Sequence, residues 1–156
     1  MKPTGVDVVA TNRQARRNFD LGDSVECGIV LVGSEVKSLR ESKVQLSDAW
    51  GTIDDHEAWL IGLHIAPYSR AQDHSGHDPM RKRKLLLHRQ QIDRLRLKMQ
   101  IERLTLVPLK LYFSDGRLKV EMALGKGRNV VDKRHELARK QSEREAQRDV
   151  ARANRR

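Results

Sequence analysis

At 156 residues the chain can hold one domain and an appendage, and a domain of roughly 110–120 residues folds without staples. Lys and Arg total 31 against 21 Asp and Glu, a net charge of +10 that points to a polyanionic partner. A lone Cys27 excludes intrachain disulfides and cysteine-based zinc sites, and no run approaches the ~18 apolar residues of a membrane span. With no apolar signal core in residues 1–17, these features predict a reduced, cytoplasmic protein with no membrane partner.

Residues 1–10 read as a flexible N-terminus, followed by the basic lead-in Asn12-Arg-Gln-Ala-Arg-Arg17. From Ser24 to Val32, Val25, Cys27, Ile29 and Leu31 alternate with Glu26, Gly28 and Val30, the period of a strand. Val36 and Leu39 then give a short helix over 35–40. The segments 50–53 and 58–65 flank Asp54-Asp55-His56-Glu57 and predict a hairpin. Residues 66–80 hold two prolines and no period, a loop long enough to suggest function. An apolar run resumes at 84–88, and Ile92, Leu95 and Met99 predict a basic amphipathic helix over 89–100.

Strands over 105–113 and 118–124 are joined by Ser114-Asp115-Gly116-Arg117, whose Asp-Gly pair favours a tight hairpin. Leu118, Val120, Met122 and Leu124 face inward, and Pro108 predicts an edge or a bulge in the first strand. Short strands with tight turns and brief helices predict a mainly β fold, a small antiparallel barrel, with an open sandwich as the alternative. The domain spans 11–124, and Gly125-Lys126-Gly127 reads as a hinge to a tail over 125–156.

That tail lacks Phe, Trp and Tyr, and Lys140, Arg144, Arg148, Arg152 and Arg156 recur every four residues. On a helix this spacing makes one cationic stripe. The apolar edge, Ala146, Val150 and Ala153, is too narrow to dock on a barrel. The tail is therefore expected to be disordered or frayed when free and helical against RNA phosphates.

Catalytic patterns are weak. Asp73, His74, His77 and Asp78 could gather round a metal, but they lack a third distant ligand and are equally good turn chemistry, so no metal is expected. No phosphate-binding loop or nucleophile elbow is present, and neither a cofactor nor an enzymatic activity is expected. Arg81-Lys82-Arg83-Lys84 is a run of four cations suited to RNA phosphates. With six aromatic residues in all, base stacking is not expected to be the main mode, and a folded RNA read by shape fits better.

Six segments occur in order: Gly28-Ile-Val-Leu31, Glu35-Val-Lys-Ser-Leu-Arg40, His77-Asp-Pro79, Arg83-Lys-Leu-Leu-Leu-His88, Thr105-Leu-Val-Pro-Leu-Lys110 and Asp132-Lys-Arg134. Together, over about residues 11–140, the chain resembles the SsrA-binding protein family (small protein B), partners of transfer-messenger RNA. The resemblance implies a barrel of the oligonucleotide-binding type with added helices. It implies binding to the tRNA-like domain of transfer-messenger RNA and delivery of that RNA to stalled ribosomes. The tail would occupy the empty mRNA channel and decoding region, and elongation factor Tu with GTP would be an indirect partner of a monomer.

By the same resemblance Asn12, Arg13 and Arg16 match an RNA-binding N-terminal motif, and Glu26 an acid that holds the RNA. Arg83 and Lys84, with Leu86, Leu87 and His88, match the RNA-facing segment, which Arg81 and Lys82 of the cationic run extend, and Lys126, Gly127 and Arg128 match the hinge. Asp132, Lys133 and Arg134 match the first part of the ribosome-binding tail, which continues through Lys140, Arg144, Arg148 and Arg152. Val131, Asn129 and Arg103 depart from the family pattern, the last where a Gly commonly stands. The competing reading is a structural protein held permanently on ribosomal RNA.

Overall fold

The computed structural model describes residues 5–68, 76–128 and 130–153. In chain order the elements are β1 (Val6–Thr11), α1 (Ala15–Asn18), β2 (Phe19–Ile29), α2 (Gly33–Arg40), β3 (Val44–Gln45), β4 (Trp50–Asp54) and β5 (Glu57–Ile61). There follow β6 (His64–Ile65), β7 (Arg83–Leu86), α3 (Arg89–Glu102), β8 (Thr105–Ser114), β9 (Arg117–Gly127) and α4 (Val130–Ala153). Seven strands form one antiparallel sheet in the order β1-β8-β4-β5-β7-β2-β9, and a further β8–β9 pairing closes it into a barrel. The fold is mainly β with short helices, as the turn and strand pattern predicts.

The inward faces follow the period of two. In β9, Leu118, Val120, Met122 and Leu124 are all buried, and they meet Cys27 and Ile29 from β2 and Leu106 and Leu111 from β8. Burial raises the Cys27 thiol to about 12, with Glu26 adding to the shift, so the side chain acts as a small apolar group. In α3, Ile92 is buried and Leu95 and Met99 pack on the same core, the face its spacing marks out. Asp115 and Gly116 take positive φ values of 51° and 78°, as a two-residue hairpin turn requires.

Pro108 lies within β8 at a bulge, with the register shifting between Pro108 and Lys110. The carbonyls freed there are taken by Asn12: its Nδ2 donates to Pro108 O at 2.9 Å and its backbone N–H to Leu109 O at 2.7 Å. This contact continues β1, which pairs with β8 from Val6↔Ser114 to Thr11↔Lys110. The expectation of a flexible stretch over residues 1–10 is therefore corrected from Val6 onward. Three valines in six residues, Val6, Val8 and Val9, suffice for a strand once an edge of β8 is open to them.

The hinge is corrected as well. Gly125, Lys126 and Gly127 belong to β9, paired with Leu21, Asp20 and Phe19 of β2. A Cβ at Gly125 would lie 2.8 Å from Phe19 Cβ, so this glycine serves close strand approach, and the barrel continues to Gly127. Beyond it the tail is the helix α4, the form expected of it against RNA. A tail free of Gly and Pro from 130 to 153 and carrying i,i+4 pairs such as Gln141–Glu145, 3.3 Å apart, favours that state.

Arg103 closes α3 in the left-handed region at φ 53°, ψ 49°, and its N–H and that of Leu104 bond to Met99 O. A side chain there is strained where glycine is not. Arg103→Gly is expected to raise stability by about 1 kcal/mol, seen as a higher denaturation midpoint in urea with an unchanged slope.

Candidate nucleic-acid interface

The outward residues of β2, β9 and β8 assemble one polar surface. Glu26 stands opposite Glu121, and Lys119 lies between Gly28 and Tyr112 across the ladders. The Tyr112 hydroxyl donates to Glu26 Oε2, and Lys119 Nζ lies 4.0 Å from Glu26 Oε1. Burial and the neighbouring Glu26 both push the Tyr112 pKa upward, so the hydroxyl remains a donor. Lys110 pairs with Glu121 at 3.6 Å. Glu26 itself remains exposed, with spare acceptor positions turned to solvent.

Gly28 keeps this surface low. Leu86 pairs with it across from β7, and a Cβ on Gly28 would meet Leu86 Cβ at 3.2 Å. Leu86 is exposed and continues the face, whereas Leu87 turns partly into the core. His88, exposed, caps α3 and donates its backbone N–H to Gln91 Oε1 at 3.0 Å. Thus Glu26 and Leu86 lie on one face, joined by Tyr112 and Lys119. The aromatic Tyr112 in the middle of an apolar strand offers no periodic signal of this position.

The tetrabasic run divides by strand alternation. Lys82 and Lys84 point outward, Lys82 Nζ standing 4.1 Å from the Trp59 ring centroid and Lys84 Nζ 3.2 Å from Glu57. Arg83 points inward and is fully buried, which corrects its assignment as a phosphate contact. Its Nε donates to the equally buried Glu35 Oε2 at 2.5 Å, its Nη1 to Leu63 O at 2.5 Å and its Nη2 to Pro79 O at 3.2 Å. Arg81, part-exposed, donates to Glu35 Oε1 at 2.5 Å and to Val30 O at 3.2 Å, so it too is largely committed within the protein. Burial pushes Glu35 up, but bonds from Arg81, the Val32 N–H and Arg83 outweigh it and hold the carboxyl below its usual range. Asn12 is corrected in the same way, since its amide is buried against the Pro108 bulge.

A second cationic region forms where α1 and the end of β2 meet the tail. Arg16, Arg17, Arg128, Lys140 and Arg144 line a cleft of about 800 Å³ floored by Phe19 and Leu21. Ala15, buried on α1, fixes the short helix so that Arg13, Arg16 and Arg17 are exposed beside it. The Arg128 N–H donates to Asn18 O at 2.9 Å and holds the exit of β9 there. Lys126 is exposed opposite Asp20, and Arg148 and Arg152 continue along the exposed face of α4. Asp132, Lys133 and Arg134 lie in α4, with side chains outside those described.

His77 is a structural residue: Nδ1 accepts from the Ser34 hydroxyl at 2.8 Å and Nε2 donates to Ile65 O at 2.9 Å. Asp73 and His74 fall outside the described residues. Among the described residues no three His, Cys, Asp or Glu side chains gather as for a metal ion. No described helix is long and apolar enough to cross a membrane.

A small closed antiparallel barrel with a mixed-charge strand face, a cationic cleft and a cationic helix belongs to the class of nucleic-acid-binding barrels. The family model for SmpB protein matches residues 9–152. The chain belongs to that family. An SsrA-binding protein of Nocardia farcinica is 53% identical over 152 residues, covering 97% of this chain and 94% of the relative. One of Rhodococcus jostii is likewise 53% identical over 152 residues, covering 97% and 96%. A solved chain described by the words "tmRNA-SmpB: a journey to the center of the bacterial ribosome" is 43% identical, with a TM-score of 0.64, covering 78% of this chain and 85% of that one.

Proposed function

We propose that the chain binds the tRNA-like domain of transfer-messenger RNA and carries it to stalled ribosomes for trans-translation, with α4 occupying the empty mRNA channel and decoding region. Membership of the SmpB family supports this reading, and the observation that carries it is the Glu26–Tyr112–Lys119 surface beside exposed Leu86. It pairs an acceptor for base or sugar donors with nearby cations for phosphates, the mixture a folded RNA recognised by shape requires. The protein acts as a monomeric, cytoplasmic binding factor rather than as an enzyme. Elongation factor Tu with GTP meets it through the charged RNA.

Pull-down of the full chain from a bacterial lysate, with sequencing of the bound RNA, tests the reading. One dominant structured RNA with a tRNA-like end is the expected result, whereas ribosomal RNA alone would favour the permanent ribosomal protein. Glu26→Ala sharpens it through a sign. The change makes the protein more cationic, so simple electrostatics predicts tighter binding, while loss of a base or sugar acceptor predicts binding weaker by about 1–3 kcal/mol. A filter-binding titration at fixed salt distinguishes the two, and tighter binding would reject the role of Glu26.

A further inference from the structure

We propose that the outward face of the β4–β5 hairpin, with Lys82 and Lys84 beside it, is a stacking platform for unpaired RNA bases. The inference rests on the RNA-binding reading above and adds to it a site of different chemistry. Both tryptophans of the chain lie here. Gly51 faces inward, since a Cβ on it would sit 2.6 Å from Leu106 Cδ2 and 2.9 Å from Met122 Cε. Alternation then turns Trp50 and Thr52 outward, and Trp50 is 45% exposed.

On the neighbouring strand Ala58 and Leu60 are buried, so Trp59 and Ile61 share the outer face. The ladders set Trp50 opposite Ile61 and Trp59 between Thr52 and Lys84. The two indoles are therefore diagonal neighbours on adjacent strands, about 7–8 Å apart by ordinary sheet geometry. Lys82 Nζ rests 4.1 Å from the Trp59 ring centroid, and Lys84 is held at the edge by Glu57 at 3.2 Å.

An apolar protein segment laid on this face would strip water from two ammonium groups and return nothing to them. An RNA strand with unpaired bases matches both halves of the chemistry. Each indole offers a π face to a base, and each lysine a charge to the adjoining phosphate. Lys82 covers Trp59 in the free protein and can leave its ring for a phosphate as a base arrives, so the indole is not left bare in water. Paired bases in a duplex present no face to stack, which makes the platform selective for single strands.

Because the only tryptophans sit in the site, the indole fluorescence of the full chain reports on it directly. Titration with a short single-stranded oligoadenylate should quench the emission, and the same strand annealed to its complement should quench far less. Trp50→Ala should weaken single-strand binding roughly tenfold, while Trp50→Phe, which keeps an aromatic face, should retain most of it. An absence of quenching by the single strand, or an equal effect of Trp50→Ala on strand and duplex, overturns the proposal. A silent titration alongside capture of the tRNA-like RNA would remove this platform alone. Failure of both would remove the RNA-binding reading itself.

Discussion

Arg83→Ala should lower the stability of the protein by about 3–5 kcal/mol, a fall in melting temperature on the order of 10–20 °C. Arg83 and Glu35 are both fully buried, and the guanidinium ties β7 to the N-terminal turn of α2, to Leu63 and to Pro79. Removing it leaves Glu35 with Arg81 as its one side-chain partner among the described residues and takes the guanidinium donor from the Leu63 carbonyl. Arg83→Lys keeps the charge but not the three-way fork, so it should recover only part of the loss. Because Glu35 titrates lower folded than unfolded, its contribution is complete above the unfolded value near ~4.3. It is lost as pH falls through the folded value, and that acid sensitivity should largely disappear in Glu35→Gln. Thermal melts across that acid range check both; an Arg83→Ala protein melting within a degree or two of the parent would contradict the buried pair.

Truncation after Arg128 should abolish peptide tagging on stalled ribosomes while the barrel remains folded and bound to transfer-messenger RNA. The described side chains of α4 from Ala138 to Arg152 are all exposed, so their removal should change stability by no more than about 0.5 kcal/mol. The barrel keeps the Glu26 surface, Lys82, Lys84 and the arginines of α1, so affinity for the structured RNA should stay within about tenfold. Lys140 and Arg144 leave the α1 cleft with the tail, which accounts for a modest loss and a shallower salt dependence. Charge reversal at Lys133 and Arg134 should reproduce much of the tagging defect in the full-length chain. Normal tagging by the truncated protein would refute the division between barrel and tail.

Much of this fold is legible because the barrel obeys simple periods. The β9 alternation, the Asp115-Gly116 turn, the i, i+3, i+7 face of α3 and the bulge at Pro108 all stand as the local pattern predicts. The start of β2 does not, because a register shift between Leu21 and Ser24 breaks the alternation from which a strand would be read. Arg83 illustrates a different limit. Counting back by twos from buried Leu85 puts Arg83 inside, so its direction is present in the sequence. What makes that burial tolerable is Glu35, 48 positions earlier, and a run of four cations gives no sign of it. Gly125 is similar: a Gly-Lys-Gly string looks like a flexible joint until Phe19 is seen pressed against it. The Trp50 and Trp59 pair was legible as a hairpin, but not as a common outer face, which depends on Gly51 turning inward.

The position of β9 also has a mechanical consequence. Over most of its length it is bonded on both sides, to β2 from Gly28↔Lys119 to Phe19↔Gly127 and to β8 from Ser114↔Arg117 to Thr105↔Gly125. The tail leaves directly from the end of this strand. A pull on α4 along the strand axis therefore loads two ladders in shear, so that many backbone bonds must yield together rather than one after another. The tail is thus moored to a doubly bonded strand, and a load on it reaches the Glu26–Tyr112 face of β2 and β8 without first unravelling a joint.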